Sequence, residues 1–202
     1  MSSLNTALMK IDSSMVKKPQ SLKVTRENLE KIIIGHSIVV AAAGLGGGVV
    51  SFFLPGAAGV ISTLTATGSI WLMYYNICRE LGISIPKNIL KALGSAMLAN
   101  VVTQLGGLLL LDAALTLVPG LAIPVCGAMC YGVNYLAGYL FILLLVEVFG
   151  GGRDPQNMSE AELKNAAAAV CSDTSCGEIY TDAYNEAKDK IKKGEITKDS
   201  GR

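Results

Sequence analysis

Charge is what this sequence most lacks. From Ile32 to Cys78 there is no Asp, Glu, Lys or Arg, and from Ala92 to Val146 there is only Asp112. Charged residues are 16% of the 202-residue chain, against about 25% in soluble domains, and the mean hydropathy is +0.46. Soluble core helices need no apolar run of that length. A bilayer does, because a spanning helix takes roughly 20 consecutive apolar residues. Histidine is scarce too. His36 stands alone, with no Cys or carboxylate cluster beside it, so no zinc site is expected. The glycine-rich run at Gly44 lacks the following Lys-Ser/Thr of a phosphate loop. No Ser-His-Asp or Cys-His set can be assembled. The expectation is therefore a non-enzyme with no catalytic residue, no cofactor and no metal.

Other absences narrow the field. A net charge of +1 gives no electrostatic footprint for nucleic acid. No charged start, short apolar core and A-x-A site follow Met1, so no cleaved leader is expected. The five cysteines, Cys78, Cys126, Cys130, Cys171 and Cys176, are odd in number and irregular in spacing, which argues against a disulfide framework. Cys171 and Cys176 could pair only in an oxidising compartment.

What is present is two long apolar runs, each broken once by a Pro-Gly step, Pro55-Gly56 and Pro119-Gly120. The fold class read from this is an all-α membrane protein of two Pro-Gly-turned hairpins. Its four membrane helices fall over about 31–54, 57–78, 88–118 and 121–149. Residues 1–20 read as a flexible N-terminus, 21–149 as the membrane domain, 150–158 as a glycine-led linker and 159–202 as a soluble helical tail. A short helix from Ser21 should feed into the first span. In the tail, Ser159 and Glu162 have capping-box spacing, predicting a helix over 160–170. A second helix over 178–193 aligns Tyr180, Ala183, Tyr184, Ala187 and Ile191 on one face. That stripe is expected to pack on the first tail helix or on a neighbouring subunit.

The hairpins form a weak internal repeat, with Tyr75 and Tyr139 at matching offsets after the two Pro-Gly steps, so both enter from the same side. Every Lys and Arg lies in the N-terminal segment, the connector from Arg79 to Lys91 or the tail. The positive-inside rule then places both termini in the cytoplasm. The turns either reach the far face or stop short of it as re-entrant loops. Trp71, Tyr74 and Tyr75 fit an interfacial aromatic belt.

Small residues carry the strongest packing signal. Gly44 and Gly48 form a GxxxG pair, Ala58, Ser62 and Ala66 continue small-xxx-small spacing, and Gly127 and Gly132 are related. Between helices in lipid, such residues permit close backbone approach. Packing within one hairpin and self-association into a homo-oligomer are both open to them. Asn100, Gln104 and Asp112 lie near one face of the third helix, and Asn134 is on the fourth. They are a candidate polar path. The plainer reading is hydrogen bonding across a hairpin, with Asp112 wetted at the far surface.

The segments Phe53-Leu54-Pro55-Gly56-Ala57, Tyr75-Asn76-Ile77-Cys78-Arg79-Glu80-Leu81-Gly82 and Leu117-Val118-Pro119-Gly120, with Gly127, Tyr135, Gly138 and Tyr139, resemble a bacterial membrane-domain family of unknown function. Its members often follow an Era-like or dynamin-like GTPase domain as a hydrophobic module. The resemblance covers about 32–149 and brings no catalytic residues. It implies a membrane anchor or assembly module. No GTPase domain stands in this sequence, so a GTPase partner would be a separate protein. The leading expectation is a self-associating membrane scaffold or membrane-shaping module whose partners are the lipid bilayer, further copies of itself and that GTPase. An oligomeric pore, toxin-like or holin-like, is the alternative. A small transporter and a soluble bundle rank lower.

Overall fold

The computed structural model describes residues 22–45, 57–83, 85–115, 122–153 and 157–200. Among them are six helices and no strand: α1 (Leu22–Leu45), α2 (Ala57–Glu80), α3 (Lys87–Leu115), α4 (Ala122–Gly150), α5 (Glu160–Ser172) and α6 (Cys176–Lys192). The expected N-terminal helix and first span are one continuous element, α1, because nothing between Leu22 and Leu45 breaks the backbone pattern. Both Pro-Gly turns, with Pro55, Gly56, Pro119 and Gly120, lie outside the described residues, as do Gly48 and residues 1–20.

Three stretches are long and apolar enough to cross a membrane, Glu27–Leu45, Lys87–Leu109 and Ile123–Val148. The described part of α2 is not a fourth. α4 is the axis of the fold. Of its most apolar stretch 89% is buried within the chain, against 33% and 39% for the other two. No charge occurs between Ala122 and Val146, so every side of the helix can be covered at no cost in buried charge.

α1 and α2 cover one side. Tyr74 stacks on Phe141 with ring centroids 3.9 Å apart, and its hydroxyl donates to the Ala137 carbonyl at 3.0 Å. α3, α5 and α6 cover the rest. The charged helix ends gather at one end of the bundle, where Asn28 Nδ2 donates to Glu80 Oε1 at 2.7 Å.

The tail departs from expectation in its packing. Ile179, Tyr180, Ala183, Tyr184 and Ala187 are buried, but the stripe lies on α4, and α5 packs chiefly on α3. The physical reason is that α4 is apolar all round and needs cover on every face, whereas Ala-rich α5 offers α6 little surface. The α5 cap forms as expected. Ser159 Oγ accepts from the Glu162 amide at 3.3 Å, and the Ser159 amide donates to Glu162 Oε2 at 2.8 Å. The Ser159 hydroxyl also donates to Glu162 Oε2 at 2.7 Å, and this bond, with that of the Ser159 amide, lowers the Glu162 carboxyl from its ordinary value.

Candidate membrane-embedding core and its cover

Glycines set how closely the helices approach α4. A Cβ at Gly44 would lie 3.1 Å from the Cys126 carbonyl oxygen and from Gly127 Cα, so α1 and α4 meet backbone to backbone. A Cβ at Gly127 would come 2.8 Å from Leu45 Cδ2 and 3.2 Å from Ile191 Cδ1. At Gly132 it would come 2.8 Å from Tyr180 Cε2. Three of the expected packing residues therefore act inside one chain. Ala58, Ser62 and Ala66 lie on α2, with side chains outside the described set. Gly138, which belongs to the family resemblance and not to the expected packing residues, acts in the same way: its Cβ would sit 3.0 Å from Ile33 Cγ1 and Met73 Sδ. Its place beside Tyr139, in the second hairpin's repeat, was the available signal.

The polar candidates do not share one environment. Asn134 is 2% exposed. Its Nδ2 donates to Ser37 Oγ at 3.3 Å and faces Met73 Sδ at 3.6 Å. Ser37 Oγ in turn donates to the Ile33 carbonyl at 2.8 Å. Asn134 Oδ1 is buried with no partner among the described residues. By contrast, Gln104 is exposed and Asn100 half-buried on α3. Asp112 lies on α3, its side chain outside the described set. Between α1 and α2, Asn76 Nδ2 meets His36 Nε2 at 3.0 Å. An amide nitrogen only donates, so Nε2 is the acceptor.

At the charged end, Lys91 Nζ stands 5.1 Å from the Trp71 ring centroid and Lys87 Nζ 5.9 Å from that of Tyr75. Lysine heads beside Trp and Tyr rings are the arrangement of a membrane–water interface. Around α3, a face that sequence reading passed over turns outward. Ser95, Ala99, Thr103 and Gly107 are all exposed and follow one another at i, i+4 spacing, which was legible in the sequence.

The cover on α4 conflicts with membrane embedding. α6 runs antiparallel to α4, Tyr180 against Gly132 and Ile191 against Gly127. It therefore lies along the N-terminal half of the Ile123–Val148 stretch. Its outer face carries Glu178, Asp182, Glu186, Asp189 and Lys192, all exposed. A charged side chain at the bilayer centre costs roughly 2.5–3.5 kcal/mol, so five in lipid cost on the order of 10 kcal/mol. α4 cannot cross lipid while α6 stays docked on it.

All five cysteines are free and buried. Cys171 Sγ donates to Met97 Sδ at 3.6 Å and Cys176 Sγ to the Cys171 carbonyl at 3.4 Å. Burial, with Cys176 adding to it, pushes the Cys171 thiol up to about 12. Burial also raises Cys176. Among the described residues no three His, Cys, Asp or Glu side chains are grouped to hold a metal ion. No family model, curated protein or solved structure matches this chain.

Proposed function

We propose that this chain is an integral membrane anchor and scaffold that self-associates through α3 and carries out no chemistry of its own. The observation that carries the proposal is the outward Ser95, Ala99, Thr103, Gly107 stripe on a helix apolar enough to span a bilayer. A face turned only to lipid has no use for such a ladder of small residues, whereas a second helix approaches it closely and gains van der Waals contact along its length. Gly44 and Gly127 hold α1 close against α4 within each copy, leaving the α3 stripe for contact between copies.

In this reading four helices cross or enter the membrane as two hairpins from one side, with the charged ends and both termini cytoplasmic. Trp71, Tyr75, Lys87 and Lys91 mark the interface on that side. One-sided hairpins also act as wedges that bend the membrane. Recruitment of a separate GTPase belongs to the same reading and rests on the sequence resemblance.

Mass photometry of the protein in nanodiscs tests the self-association. The wild type is expected as an oligomer and an Ala99→Leu, Thr103→Leu variant as a monomer. A wild type that is monomeric in lipid and leaves vesicle shape unchanged would refute the scaffold.

A pore is the second reading. Gln104 is exposed next to the stripe and Asn100 half-buried one turn away, so a ring of α3 helices would bring amides towards its axis. Planar-bilayer recordings decide this, and no conductance above background dismisses it.

A further inference from the structure

α4 has two competing partners, the chain's own tail and the bilayer, and it can have only one along the stretch that α6 covers. The docked interface is apolar at its centre, with Lys190 Nζ of α6 at its edge, 5.9 Å from the Tyr131 ring centroid. Ile179, Tyr180, Ala183, Tyr184 and Ala187 are buried there, and α4 offers no charge from Ala122 to Val146 with which α6 could form an ion pair. An interface of this kind gives up no salt bridge when lipid replaces the protein surface. The tail also has the means to leave. Gly150-Gly151-Gly152 joins it to α4, and Gly152 sits at φ +67°, a conformation that only glycine adopts freely.

We infer that α5 and α6 form an exchangeable cover, docked on α4 when no bilayer is engaged and released when α4 enters the membrane, α6 then lying on the membrane surface by the same apolar face. The inference rests on the membrane reading above. Released α6 suits that position. Tyr180 and Tyr184 have apolar rings with polar tips, which favour the interface; Lys188 and Lys190 stand at the edge of that face beside the Tyr184 and Tyr131 rings, and Glu178, Asp182, Glu186, Asp189 and Lys192 occupy the exposed side. It carries four acidic and three basic side chains, so its attraction to the surface does not depend on anionic lipid.

Cys171 and Cys176 on the tail report the change, with Cys126 and Cys130 on α4 as internal references. The full chain is synthesised cell-free, once without vesicles and once into phosphatidylcholine vesicles followed by a carbonate wash. Each sample is treated with an impermeant maleimide, and labelling is resolved by cysteine using peptide mass spectrometry against the urea-unfolded chain. In the vesicle-free chain all four thiols are expected to be protected. In the embedded chain Cys171 and Cys176 are expected to label within about tenfold of the unfolded rate, while Cys126 and Cys130 stay protected.

If Cys171 and Cys176 remain as protected in the embedded chain as in the vesicle-free one, the exchange is wrong and the membrane reading stands. If no carbonate-resistant fraction forms, the membrane reading falls and the inference falls with it. Gly132→Leu, which drives a side chain into the Tyr180 ring, is expected to raise Cys176 labelling at least tenfold in the vesicle-free chain. The wild-type comparison decides the matter if that variant does not fold.

Discussion

At the scale of single residues, neighbouring glycines in one helix should respond in opposite directions. Gly44→Ala places its methyl 3.1 Å from the backbone of α4, and backbone yields only by moving a helix. Overpacking of this kind costs about 1–3 kcal/mol. Gly35 lies in the same helix with nothing within 4 Å of its Cβ position, so Gly35→Ala should stabilise by about 0.5–1 kcal/mol through backbone entropy. Thermal melts of the two variants beside wild type check both signs. Asn134 gives a second test. With Oδ1 unpartnered, Asn134→Leu removes a buried polar group that is only half satisfied, and the melting temperature should hold or rise. Asn134→Asp leaves a carboxylate among apolar side chains and should cost about 3 kcal/mol or more. The Cys171 thiol sets a pH dependence. Its acidity is pushed up to about 12, so the folded chain holds this proton more tightly than the unfolded chain does. The resulting stability is complete below about pH 8.5 and is lost as pH rises towards 12. Alkylation of folded Cys171 at pH 8 should run about three orders of magnitude slower than in urea, rising about tenfold per pH unit.

At the scale of elements, the helices were legible because their signals are local. Long runs with little charge point to four membrane helices, of which three described stretches are long and apolar enough to span, and the Ser159–Glu162 spacing gives the start of α5. The acidic start and basic end of α6 follow the helix dipole. Partner choice was not legible. Nothing local in Tyr180 or Ile191 says that they meet Gly132 and Gly127, more than 45 residues away. Periodicity shows that α6 has an apolar face but not what covers it, and Gly127 and Gly132 read equally well as contacts between copies. The capping box also predicts a measurable effect. Ser159→Ala should lower hydrogen-exchange protection in the first turn of α5 and leave α1 and α2 unchanged.

At the scale of the whole molecule, the described residues form one apolar helix with five helices around it, and α6 cannot stay docked on that helix if it enters lipid. Oligomer size in nanodiscs and cysteine labelling in vesicles examine separate parts of this picture, the α3 stripe and the α4 cover, and either can fail without the other. The cover also stands in a fixed place along the chain, C-terminal to the helix it covers. During synthesis at ~5–20 residues per second, α4 is complete several seconds before α6 exists. Order of emergence therefore favours the membrane. An insertion machinery that meets the nascent chain receives α4 bare, and only a chain that finishes without meeting one can fold its tail back. Delaying membrane delivery until after termination should thus raise the tail-docked share, with no change in sequence.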